Sequence, residues 1–182
     1  ALINNFKGDI ALKQQHLKEA EKAYKEAWKN KPSDYIAQKV LSVLKKQASD
    51  KETQLFLEEW KVEIPQSSLP LFHQATLLMN EGKQAESIKL YEQVINMAPN
   101  SMYALNNLAW LYSLDKDERA LSTAKRAYKL GPKNADIVDT YGWILFQKGD
   151  AKSALSILEQ AVELSPENAE IKAHLKEVQA NL

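Results

Sequence analysis

The sequence predicts an all-α solenoid, a stack of helical hairpins, and three observations predict it. Five prolines, Pro32, Pro65, Pro99, Pro132 and Pro166, recur at spacings of 33, 34, 33 and 34 residues. A fixed period near 34 marks stacked helix–turn–helix units. Between the prolines, apolar residues recur at helical spacing. Glycine is scarce, with 5 in 182 residues, and turn-rich runs are few, which favours helices over strands.

The period divides the chain into units 1–34, 35–67, 68–101, 102–134 and 135–168, followed by a single helix over 169–182. Turns between the two helices of each unit are expected at Gln14–Leu17, Ala48–Asp50, Gly82, Lys116 and Gly149. Eleven helices follow: a helix A and a helix B in each unit, and one more at the end.

The first unit carries Gly8, Ala20, Tyr24, Ala27 and Pro32, with Asn4 and Lys7 at places that are apolar elsewhere. The second keeps Leu41, Ser42, Leu57 and Pro65 but puts Thr53 and Trp60 where the others are small or modest, so its hairpin is expected to open wider. The third carries Leu71, Ala75, Gly82, Ser87, Tyr91 and Pro99. The fourth carries Leu105, Leu108, Ala109, Tyr112, Ala120, Ala127 and Pro132, and its turn, Asp115 to Asp117, reads as shortened and has no glycine.

The fifth unit shows the logic most clearly. Ile137, Val138, Tyr141, Ile144 and Leu145 share one face of helix A. Gly149-Asp150 breaks it, and Asp150 is placed to cap helix B. Ala154, Leu158 and Ala161 line helix B, Pro166 stops it, and Asn168 caps the next helix. Two helices joined by a short turn approach closely only where side chains are small. Gly142 is therefore expected opposite Ala154, with Ala161 receiving the following helix.

Residues 169–182 carry one narrow apolar stripe, Ile171, Leu175, Val178 and Leu182, as a capping helix requires. At the other end Leu2, Ile3, Phe6 and Ile10 would lie on an open edge. That edge predicts association between copies, and it makes the chain read as a piece of a longer repeat protein.

Composition narrows the function classes. Lys plus Arg equals Asp plus Glu at 24 each, whereas a nonspecific nucleic-acid binder needs a basic excess. The balance drifts along the chain: residues 135–182 hold 4 basic and 8 acidic residues. There is no cysteine, so disulfides, thiolate metal sites and a cysteine nucleophile are excluded. No apolar run approaches the roughly 18 residues of a membrane span, and no signal peptide is recognisable. His16, His73 and His174 fall in different units without a metal-spaced partner, and no glycine-rich phosphate loop exists. An enzyme, a metal and a cofactor are therefore not expected.

The phased small and aromatic residues of the five units resemble the tetratricopeptide repeat, and the resemblance covers essentially the whole chain. It implies a right-handed superhelix in which each helix A lines a concave inner face. The phrase Leu105-Asn-Asn-Leu-Ala-Trp-Leu-Tyr112, with Thr140-Tyr-Gly-Trp-Ile-Leu145 after it, is similar to the C-terminal repeats of bacterial tetratricopeptide lipoproteins. Those belong to exopolysaccharide and PEP-CTERM sorting systems. That narrower likeness implies a bacterial periplasmic or membrane-associated protein; without it the compartment would be cytoplasmic.

On the inner face implied by the resemblance, units three to five present Phe72, His73, Met79, Tyr103, Asn106, Asn107, Trp110, Asp139, Thr140, Trp143 and Phe146, with Asn80 and Asp136 beside them. Rings beside amides suit an extended peptide, because rings take apolar side chains and amides bond its backbone. Some members of the family grip a C-terminal carboxylate with asparagines and lysines. Here the unit after Asn106 and Asn107 offers Asp136 and Asp139, and Lys39 and Lys46 lie two units away. The expected partner is therefore a protein or peptide with a neutral or basic extended segment. The alternative is a structural module that contacts copies of itself through the N-terminal edge.

Overall fold

The computed structural model describes residues 2–182. Among them lie eleven α-helices and no strand: α1 (Leu2–Lys13), α2 (Leu17–Asn30), α3 (Asp34–Lys46), α4 (Asp50–Glu63), α5 (Leu69–Asn80), α6 (Gln84–Met97), α7 (Met102–Leu114), α8 (Arg119–Leu130), α9 (Ala135–Gln147), α10 (Ala151–Leu164) and α11 (Ala169–Ala180). Every turn falls where the period put it. No helix of the described residues is long and apolar enough to cross a membrane.

The prolines set the helix ends. Each stands two residues past the end of α2, α4, α6, α8 or α10. The residue before it donates its N–H to the last helical turn: Lys31 to Ala27, Ile64 to Trp60, Ala98 to Val94, Gly131 to Ala127 and Ser165 to Ala161. Proline then has no N–H to continue with. Side-chain caps start α3, α9, α10 and α11. Asn134 Oδ1 accepts from Ile137 N at 3.2 Å, Asp150 Oδ1 from Ser153 N at 3.1 Å, and Asn168 Oδ1 from Glu170 N at 3.0 Å.

Each A–B turn holds one left-handed residue at an equivalent place: Gln15 (φ 62), Ala48 (φ 52), Gly82 (φ 74), Lys116 (φ 57) and Gly149 (φ 87). Only the two glycines adopt it without a Cβ penalty. The fourth turn was expected to be shortened. It is the longest, with residues 115–118 between α7 and α8 where the other turns have three. Asp117 is the cause. Its carboxylate accepts from Arg119 N at 2.8 Å and grips the same guanidinium at 2.7 Å, so α8 begins at Arg119.

Residues 1–77 and 78–182 form two compact units. The core of the first gathers Tyr24, Trp28, Val40, Leu44, Phe56, Leu57 and Trp60. Gly8 is required there, since a Cβ would come within 2.3 Å of the Tyr24 ring. Trp60 fills the place that Ala27, Ala127 and Ala161 hold in other repeats. It is fully buried, and its Nε1 donates to Asp34 at 2.9 Å. With that ring as a wedge, α3 and α4 pack less closely than α1 and α2. Leu2, Ile3, Phe6 and Ile10 are all exposed on α1.

In the second unit Ala120, Ala127, Ala154 and Ala161 have no exposed surface. The expected pairing of Gly142 with Ala154 is off by one turn. A Cβ on Gly142 would meet Leu158 Cγ at 2.8 Å and Ile157 Cγ2 at 3.2 Å. The Leu158 side chain leans back toward the start of α10, as helical side chains do, and covers that spot. Ile171 and Val178 anchor α11, and Leu175 packs on the Leu145–Leu158 cluster. Leu182 lies past the helix end and is 66% exposed, so it leaves the stripe.

Candidate partner-binding site

In the second unit α9 lies between α7 and α11 and touches both. The side chains that share this face come from all three helices. From α7, Tyr103 is exposed, and Asn106 and Trp110 are half-buried. The Asn106 Oδ1 atom is buried without a hydrogen-bond partner. Such an orphan costs about 1–3 kcal/mol until a donor reaches it. Asn107 is already engaged, its Nδ2 donating to Tyr91 Oη at 2.8 Å.

From α9, Asp136 is exposed, but Asp139 and Thr140 are buried. Asp139 was expected at the acidic end of an open groove. It is only 8% exposed and accepts from His174 Nδ1 on α11 at 2.9 and 3.0 Å. The same imidazole stacks on Trp143, with ring centres 4.2 Å apart and planes 19° apart. Phe146 also packs against that indole, tilted, with ring centres 5.5 Å apart. Trp143 is thus packed under His174 of α11, while Trp110 lines a cavity.

That cavity holds about 160 Å³ and is lined by Trp110, Asp136, Asp139, Thr140, Asn168, Glu170, Ile171 and His174. The carboxylates of Asp136 and Glu170 make no salt bridge within 4 Å among the described residues. Burial disfavours the charged form of His174, but the hydrogen bond and charge of Asp139, aided by Glu170 and Glu177, hold its pKa above the ordinary histidine value.

The remaining candidates lie outside this cluster. Met79 is half-buried and Asn80 exposed at the end of α5. Phe72 and His73 belong to the first unit. His73 is not an open groove histidine. It packs on Trp60 at 5.9 Å and on Phe72 at 5.5 Å, and burial, with the charge of Lys45, pushes its pKa down to about 4. Lys39 is spoken for as well, 2.5 Å from Asp9, which also accepts from Tyr24 Oη at 2.7 Å.

His174 and Glu170 were not among the expected site residues, because α11 read only as a cap. The signal was available. His73, Asn107 and Thr140 are one row of equivalent positions, and one more period reaches His174.

A family profile described as tetratricopeptide repeat matches residues 1–34 and 135–168, and a second of the same description matches 72–135. A TPR repeat-containing protein of Pseudomonas aeruginosa is 28% identical over 175 residues, 93% of this chain. The chain spans 29% of the length of that relative. Among solved structures, yeast Tom70 superposes with a TM-score of 0.78 at 15% identity, over 98% of this chain and 39% of that one. The first TPR of Spaghetti, bound to the HSP90 peptide SRMEEVD, gives a TM-score of 0.60 at 23% identity, over 64% of this chain and 93% of that one. These two structural likenesses show a shared fold.

Proposed function

This chain belongs to the tetratricopeptide repeat family, and on that footing we propose that it is a protein-interaction scaffold whose α7–α9–α11 face holds an extended segment of a partner. Tetratricopeptide repeats are typically non-catalytic interaction modules. The observation that carries the reading is the Trp110 cavity: an indole beside polar groups that the chain itself leaves without partners. Trp110 offers apolar contact, and the exposed carboxylates of Asp136 and Glu170 offer acceptors to the donors of a bound segment. Trp143, His174 and Asp139 brace the wall behind them. Bracing matters because a preorganised surface loses less entropy on binding.

The partner segment is neutral or basic. The HSP90 peptide held by Spaghetti is acidic in its second half. Here Asp136 and Glu170 put carboxylates on the face, which repel an acidic segment. Peptides selected from a random display library on the purified chain test the reading. Their Kd is expected to rise at least tenfold with Trp110→Ala and to stay within twofold with Arg126→Ala on α8. Selected peptides that bind the Trp110→Ala chain as tightly as the parent overturn it.

A second reading, association between copies, is supported by the exposed stripe Leu2, Ile3, Phe6 and Ile10 on α1. Sedimentation across concentration tests it. A parent that associates and a Phe6→Glu variant that does not would support it; a parent that stays monomeric throughout would end it.

A further inference from the structure

The cavity beside Trp110 has a chemistry more specific than general peptide docking. We propose that it seats one arginine side chain of the partner segment. The proposal rests on the docking face described above and adds the identity of its anchor.

Size comes first. At about 160 Å³ the cavity is well below the roughly 300–1,000 Å³ of pockets that hold small molecules. It has room for one long side chain.

Charge comes second. Three carboxylates line it, Asp136, Asp139 and Glu170, against one imidazole, His174, and no lysine or arginine. Asp139 is matched to His174, so the lining is negative in either protonation state of that ring. Neither Asp136 nor Glu170 forms a close ion pair among the described residues. An acidic side chain or a chain-terminal carboxylate is repelled, and a cation is drawn in.

Shape comes third. Two exposed carboxylates alone hold a cation weakly. A tryptophan face changes that, since indole is the best aromatic partner for a cation. Guanidinium is the cation that can do both at once: its plane stacks on the ring while its fork of N–H groups reaches carboxylates. Trp110 supplies the plane, and Asp136 on α9 and Glu170 on α11 supply acceptors. Because those acceptors come from two neighbouring repeats, the site exists only where α9 and α11 are docked.

The probe is the short peptide acetyl-Gly-Arg-Gly-amide, titrated into the folded chain while NMR follows the indole N–H of Trp110. Its citrulline counterpart keeps the shape and removes the charge. Saturable movement with the arginine peptide is expected, with at least tenfold weaker binding of the citrulline peptide. The variant carrying Asp136→Asn and Glu170→Gln should lose at least fivefold for arginine while keeping the parent circular dichroism. Equal titration by the two peptides, an unaffected double variant, or no saturable movement overturns the arginine pocket. Library-selected peptides that depend on Trp110 but lack arginine would also overturn it while leaving the docking face intact. Selected peptides indifferent to Trp110 would overturn the face itself.

Discussion

His174 on α11 donates its Nδ1 proton to Asp139 on α9, at 2.9 Å from one carboxylate oxygen and 3.0 Å from the other. The contact ties the last helix to the repeat before it and covers Trp143 in doing so. Its pH dependence has a definite sign. Burial opposes the imidazolium, but Asp139, with Glu170 and Glu177, raises the folded pKa above the ordinary value of about 6.5. The stabilisation is therefore full below that ordinary value and is lost as pH rises through the raised folded value. Urea midpoints measured from about pH 5 to about pH 9 should show the parent losing its advantage over His174→Gln as pH rises. A constant difference across that range would mean that the pair contributes no titrating stability.

His73 should behave in the opposite way. Burial against Trp60, with the charge of Lys45, pushes its pKa down to about 4. The unfolded chain binds a proton that the folded chain refuses. Its contribution is therefore full above about pH 6.5 and is lost as pH falls from there through about 4. A His73→Leu variant should show a flatter acid limb in the same urea experiment. An acid limb as steep as the parent's would show that another group causes it.

Close packing gives a third expectation. Gly8→Ala drives a methyl into the Tyr24 ring, and Ala154→Leu enlarges a side chain with no exposed surface. Each should cost roughly 1–3 kcal/mol in equilibrium unfolding. In an open helix, glycine to alanine usually gains about 0.5–1 kcal/mol. A gain at Gly8 would therefore show that the ring yields.

The turns give a fourth. Ala48 takes φ 52 at the place where Gly82 and Gly149 stand in other repeats. A left-handed conformation costs a residue with a Cβ about 1–2 kcal/mol, partly offset by the flexibility glycine adds to the unfolded chain. Ala48→Gly should raise stability by about 0.5–1 kcal/mol, and Gly149→Ala should lower it. A lower thermal midpoint for Ala48→Gly would contradict this account of the turn.

The helices were legible because their signals are local. A proline past each helix B and a cap before the next helix act within four residues, so Pro166 and Asn168 could be read without knowing what packs around them. Contacts between helices were harder. Gly142 was rightly placed at a close approach, but the lean of Leu158 moved that approach one turn. The α9 row was legible from the repeat period, but which of its side chains stay open was not. Asp139, Thr140 and Trp143 lie on the expected row, yet whether each is free depends on what α11 puts over them. His174 decides that, and a lone histidine on a terminal helix carries no sign of its partner until the repeat period is continued onto it.

The central claim is that the α7–α9–α11 face receives an extended segment of another protein. Hydrogen–deuterium exchange of the chain, with and without a library-selected peptide at saturating concentration, tests it most directly. Added protection confined to α7, α9 and α11, strongest around Trp110 and Asp136, is the expected result. Protection concentrated on α8 and α10 instead would place the partner on the other helices and contradict the account.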